Sequence, residues 1–146
     1  MKTVFLCAAL CAPGCVMAQD LRISDACIRA PMPGAPVVSG YLTITNPGPV
    51  ADRLTGGRAD FAEVVQVHGM TMDGEVMRMR QRVDGLPVPA GETVTLQPGG
   101  DHLMFTGLNF APKSGDTVQV TLTFDHAGPV TLPMPVCAGG PAGRVQ

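Results

Sequence analysis

His68-Gly69-Met70-Thr71-Met72-Asp73-Gly74-Glu75-Val76-Met77-Arg78-Met79 reads as two alternating segments that meet at an Asp-Gly pair. A two-residue turn needs positive φ at its centre, which Asp-Gly supplies at low cost, so the stretch predicts a β-hairpin. With Asp73 and Gly74 as the central residues, Met72 faces Glu75, Met70 faces Met77 and His68 faces Met79. Opposed residues share a sheet face with Cβ atoms about 4.5–5.5 Å apart. One surface would then carry an imidazole and up to four thioethers. Downstream, Pro98-Gly99-Gly100 turns the chain into His102-Leu103-Met104-Phe105, where period-two alternation puts His102 and Met104 on one face.

Working outward from the hairpin, the rest of the chain repeats the same grammar. Strands are predicted over 21–30, 37–45, 51–57, 61–72, 75–83, 92–97, 102–106, 117–124 and 130–136. Pro31-Met32-Pro33-Gly34-Ala35-Pro36 and Asn46-Pro47-Gly48-Pro49 break the first of these apart, since proline has no N–H to give to a ladder. Tyr41 and Ile44 are the expected packing residues of the second strand. Many short strands with turn residues every 8–12 positions argue an all-β sandwich or barrel. No long segment of helical period and no internal repeat interrupts the pattern.

The donors between His68 and Met104 select an ion. Two of the three histidines and five of the nine methionines fall in this stretch, with no cysteine. Thioether sulfur is soft and uncharged, suited to Cu(I) and poor for Ca, Mg or Mn. Zinc usually takes thiolate, imidazole or carboxylate. Neutral donors leave the charge of the ion uncompensated, which permits release to a site offering thiolates. The plainer reading is that methionine fills gaps in cores and a lone strand histidine is structural. The pairing of histidine with methionine in two separate segments favours ligation.

These residues resemble a known family, the periplasmic copper chaperones of the PCu(A)C type. Ten residues separate His68 from Met79, as in the family, and His102-Leu103-Met104 completes its His-x-Met. Twenty-two residues separate Met79 from His102, one more than usual, and 80–89 is a Pro- and Gly-containing link that can absorb an insertion. Val76-Met77-Arg78-Met79, Val88-Pro89-Ala90-Gly91, Leu96-Gln97-Pro98-Gly99-Gly100, Ile23-Ser24-Asp25-Ala26 and Gly40-Tyr41-Leu42-Thr43-Ile44 are also similar to the family. The resemblance implies a cupredoxin-like Greek-key sandwich or barrel. It implies one Cu(I) per chain on His68, Met79, His102 and Met104, and either delivery to the Cu(A) subunit of cytochrome c oxidase or another periplasmic copper or thiol protein, or buffering of periplasmic copper. Met70, Met72 and Met77 are then neighbours, either transient ligands during transfer or packing residues, with packing the expected role.

The ends set the compartment. Met1-Lys2, an apolar 4–10 and Val16-Met17-Ala18 read as a secretory signal over 1–18, too short and too interrupted for a membrane span. Cys15 as a lipid-attachment site has a poor lead-in, Ala12-Pro13-Gly14, so soluble export to the periplasm is expected. A copper-chaperone domain follows over 19–138, and 139–146 reads as a loose tail. Cleavage removes Cys7, Cys11 and Cys15 and leaves Cys27 and Cys137, a pair suited to one disulfide in an oxidising compartment. The family commonly has tryptophan where Cys27 stands.

Without Lys2, nine basic residues face twelve acidic ones. That mild acidity gives no reason to expect nucleic acid or anionic lipid as partner, and a monomer is expected. Asp101 is a candidate to orient His102 or a solvated turn carboxylate. His126 reads as a loop residue, and Arg78, Arg80 and Arg82 as an exposed face that could dock an acidic partner. No catalytic triad, carboxylate pair or phosphate-cradling loop stands out, so an enzyme is not expected. Three classes remain: a Cu(I) carrier, a blue-copper electron carrier and a metal-free interaction module. The second normally needs a cysteine thiolate beside two histidines.

Overall fold

The computed structural model describes residues 20–139. The expected export signal and nearly all of the expected tail lie outside them. Ten strands follow in order: β1 (Arg22–Arg29), β2 (Val37–Thr45), β3 (Asp52–Ala59), β4 (Ala62–Asp73), β5 (Val76–Gln81), β6 (Leu86–Val88), β7 (Thr93–Leu96), β8 (His102–Leu108), β9 (Thr117–Phe124) and β10 (Gly128–Cys137). Nine of them match expected strands to within a few residues. The tenth, β6, falls in the link over 80–89. It has three residues and contains Pro87, so neither length nor alternation marks it, and it pairs only with β3.

Hydrogen bonding runs β4-β8-β2-β1-β10-β9-β3, and a β3–β4 pairing closes the seven strands into a barrel. β5 extends β4 beyond the barrel, β6 borders β3, and β7 pairs with β2. Closure leaves the barrel strands without a free edge. β1 and β10 lie parallel, with Ile28 opposite Val136 and Arg29 opposite Cys137. The first and last strands therefore meet, and Cys27 is disulfide-bonded to Cys137 with Cα atoms 6.0 Å apart. That separation is ordinary for a disulfide, and the expected bridge is present.

Alternation sorts the side chains. Val65 and Val67 of β4, Leu103 and Phe105 of β8, Leu42 and Ile44 of β2, and Val120 and Leu122 of β9 all point into one core cluster. Phe61 stacks on Phe105 there, with ring centroids 4.9 Å apart. Met134 is fully buried in the same cluster, so one methionine does fill the core. Tyr41 is buried, as expected, but on the opposite face of β2 from Leu42.

The β4–β5 hairpin differs from expectation in register. Asp73 pairs with Val76, Met72 with Met77, Met70 with Met79 and His68 with Gln81. The turn is Gly74-Glu75, not Asp73-Gly74. Gly74 holds the positive φ, 65°, while Glu75 is not among the positive-φ residues. Glycine at the first central position is the type II′ arrangement. Asp73 stays in the strand, where its carboxylate pairs with Arg78 at 3.0 Å. The pairing slips by two residues, which is one full side-chain period, so each residue keeps the face predicted for it.

Candidate metal centre

Residue parity on β4, β5 and β8 decides which side chains can meet. Leu103 and Phe105 point into the core, so His102 and Met104 project from the other face of β8. They are nevertheless only 6 % and 4 % exposed. In the β4–β8 ladder His68 lies opposite His102, and Gln66 opposite Met104. The two imidazoles have ring centroids 6.0 Å apart. From the hairpin, Met79 reaches across so that its Sδ lies 3.1 Å from His102 Nε2. Tyr41, on the neighbouring strand, has its ring tilted against that of His102, 6.5 Å between centroids.

Hydrogen bonds assign the protons. The Pro98-Gly99-Gly100 turn is held by Gly100 N–H donating to the carbonyl of Gln97 and Gln97 N–H to that of Asp101. It aims the Gly100 carbonyl at His102 Nδ1, 3.0 Å away. A carbonyl can only accept, so Nδ1 carries the proton and Nε2 of the neutral ring presents its lone pair. That lone pair faces a thioether sulfur, which also has no proton to give. Two electron-pair donors in contact could hold a soft cation between them.

His68 is arranged the other way round. Its Nε2 lies 3.0 Å from the side-chain oxygen of Gln66, two residues earlier on the same face. The proton then sits on Nε2 and the lone pair on Nδ1, and Nδ1 is buried with no hydrogen-bond partner. Such an orphan in a native site asks for an explanation, and a bound cation supplies one. Burial, followed by the facing His102, lowers the His68 pKa from its ordinary 6.5. The neutral, ligating form is therefore the stable one at neutral pH.

Among the described residues no three His, Cys, Asp or Glu side chains converge on one point. The donors that do gather are neutral nitrogen and thioether sulfur, a set that discriminates against hard divalent ions. His68, Met79 and His102 are brought together, while Met104 is buried on the same face beside them. Sequence reasoning missed Gln66, Tyr41 and the Gly100 carbonyl. The signal for Gln66 was its i, i+2 spacing from His68.

Two expectations about the surroundings need correcting, and two others hold. Asp101 does not orient His102: its carboxylate forms an ion pair with Arg82, and the Gly100 carbonyl does the orienting. Met72 and Met77 do not pack, being 62 % and 53 % exposed, because the hairpin tip projects beyond the barrel. Arg78, Arg80 and Arg82 are exposed as expected, with Arg78 and Arg82 tied to carboxylates. His126 is an exposed turn residue.

Comparison with known proteins adds a second line. Residues 21–136 match the family described as "Putative lipoprotein LpqE-like". The chain belongs to the LpqE-like family. A relative from Leifsonia xyli subsp. xyli, named "Putative lipoprotein Lxx21020", is 28 % identical over 119 residues, covering 82 % of this chain and 70 % of its own length. Among solved structures, the copper-bound PCuAC domain of PmoF2 is similar with a TM-score of 0.68 and 27 % identity, over 81 % of this chain and 92 % of that domain. The solution structure of Cu(I)-DR1885 from Deinococcus radiodurans gives 0.59 and 26 %, over 84 % and 79 %. The PCuAC resemblance read from the motifs thus holds across the fold, and the barrel is the cupredoxin-like one expected.

Proposed function

We propose that this LpqE-like protein is a carrier of Cu(I), its cargo held by His68, Met79 and His102 with Met104 as the fourth donor. The observation that carries the reading is the 3.1 Å contact of His102 Nε2 with Met79 Sδ, beside the unpartnered Nδ1 of His68. Copper-bound and Cu(I)-loaded structures among its neighbours support the same cargo.

The chemistry follows from the donors. His102 and His68 offer preset lone pairs, so no proton must leave and little reorganisation is needed on binding. Thioethers add soft, neutral ligation without fixing the ion permanently. Met79 is 49 % exposed, so one ligand is accessible to an incoming acceptor. An acceptor thiolate can approach from that side, share the ion, and draw it away by its stronger donation. The described cysteines, Cys27 and Cys137, are joined to each other. They offer no thiolate for a blue-copper site, which favours a carrier over an electron-transfer protein.

Delivery to the Cu(A) subunit of cytochrome c oxidase, or to another periplasmic copper or thiol protein, is the destination this reading assigns. The lipoprotein names of the family and of its relative support export, and no helix among the described residues is long and apolar enough to cross a membrane. Competition of the mature protein against a Cu(I) chelator tests the reading. One Cu(I) per chain is expected, with affinity lost in the M79L/M104L double variant, which keeps approximate volume but removes both sulfurs. Unchanged affinity in that variant would overturn the ligand assignment.

A further inference from the structure

The hairpin carries more thioether than the copper position can use. β5 pairs with β4 so that Met72 stands opposite Met77 and Met70 opposite Met79. A 2.8 Å bond from Arg82 N–H to the Val67 carbonyl marks 67/82 as a hydrogen-bonded position. Hydrogen-bonded and non-bonded pairs alternate along an antiparallel ladder. Both methionine pairs therefore occupy non-bonded positions, where facing side chains approach most closely.

Exposure is the second observation. Met72 and Met77 are 62 % and 53 % exposed, against full burial for Met134 in the core. Burying a methionine is favourable, and these two forgo it at the tip of a strand pair that leaves the barrel. The paired residues of their face carry no charge: Met70, Met72, Met77, Met79 and Gln81 lie on it, while Asp73, Arg78 and Arg80 lie on the other, and Glu75 is in the adjoining turn. Successive pairs are separated by two residues, about 7 Å along a strand. The series runs from the open tip to Met79, which already touches His102. Exposure falls along the same line, to 6 % at His102.

We propose that Met72 and Met77 form a second, weaker site for a soft monovalent cation, a thioether-only landing position from which the ion passes through Met70 and Met79 to the histidines. This rests on the carrier reading for its direction, but the site itself does not depend on the histidines. Two neutral sulfurs facing each other can bridge one d10 ion, with no proton to displace and no anion to hold it fast.

Ag(I) is a redox-inert probe of the same softness. In mature protein labelled at the methionine methyl carbons, the first equivalent of Ag(I) should shift Met79 and Met104, and the second should shift Met72 and Met77. In the M72L/M77L variant the first step should keep its affinity within about threefold, and the second should vanish. Both residues are exposed, so leucine there leaves the barrel intact. In His102→Ala the tight step should be lost while the Met72 and Met77 signals still move. Methyl signals of Met72 and Met77 that stay still past the second equivalent, or a second step that survives M72L/M77L, would overturn the landing site. Loss of the first step alone in the parent protein would instead count against the carrier reading.

Discussion

Met79 and His102 have 22 residues between them, yet the sulfur of one lies 3.1 Å from the lone-pair nitrogen of the other. The contact exists because β5 folds back along β4 and β4 pairs with β8, so that two ladders carry the hairpin methionine over the barrel histidine. Neither atom has a proton for the other, and under the carrier proposal a shared cation would turn that contact into two bonds.

Met79→Leu separates binding from folding. The side chain is half exposed, and exposed substitutions usually change stability by less than about 0.5 kcal/mol. Urea unfolding of the metal-free protein should show that small change. Chelator competition should show at least a tenfold loss of Cu(I) affinity, about 1.4 kcal/mol.

Gln66→Leu tests the tautomer assignment. The side-chain oxygen of Gln66 holds the proton of His68 on Nε2, and partners of ligating imidazoles typically contribute 10–100-fold to metal affinity. Nitrogen NMR of the imidazole should show a mixed tautomer in the variant, with Cu(I) affinity down about tenfold. An unaltered tautomer and affinity would remove Gln66 from the site.

Gly69→Ala probes how β8 is pinned against the hairpin. A Cβ at this position would lie 2.6 Å from Asp101 Oδ1 and 2.9 Å from Arg82 Nε, so the ends of these two flexible side chains must shift. Asp101 precedes His102, and its displacement should move the ring. The expected cost is below about 1 kcal/mol of stability together with weaker Cu(I) binding. Restoring the space with Arg82→Ala should recover part of both.

Asp52 should govern part of the acid limb of stability. Burial pushes its pKa up, but hydrogen bonds from the backbone N–H groups of His126, Ala127 and Arg53 outweigh that and hold it below its ordinary 3.8. A carboxylate with a depressed folded pKa adds stability that is complete above the unfolded value. That stability is lost as pH falls through the folded pKa. Asp52→Asn should cost about 1–3 kcal/mol at neutral pH and flatten the decline below about pH 4, readable from urea midpoints across the acid range.

The disulfide closes a separation of 110 residues. In the chain-entropy account such a loop is worth about 4–5 kcal/mol. The C27A/C137A variant should unfold at clearly lower temperature. It should still bind Cu(I), because neither sulfur is among the proposed donors.

Which faces the hairpin residues take was legible from alternation, because the side-chain period of two is a local property of extended chain. The two-residue slip in pairing was not, since Asp73-Gly74 and Gly74-Glu75 are both acceptable turns. The choice fell to Gly74 taking the first central position, with Asp73 kept in the strand beside Arg78. β6 was missed for a related reason: three residues with a proline carry no period, and only the edge of β3 makes them a strand. The burial of His102 and Met104 and the exposure of Met72 and Met77 could not be read either, as all four sit in similar alternating text.

By itself the sequence determined the strand content, the donor types and their grouping in two segments, because turn chemistry and alternation act over a few residues. The tertiary structure alone decided that His68 lies opposite His102, that Gly100 and Gln66 set the two tautomers, and that Met79 rather than Asp101 touches the His102 ring. Those outcomes depend on ladder register and barrel closure, which join residues far apart in the chain and leave no local trace.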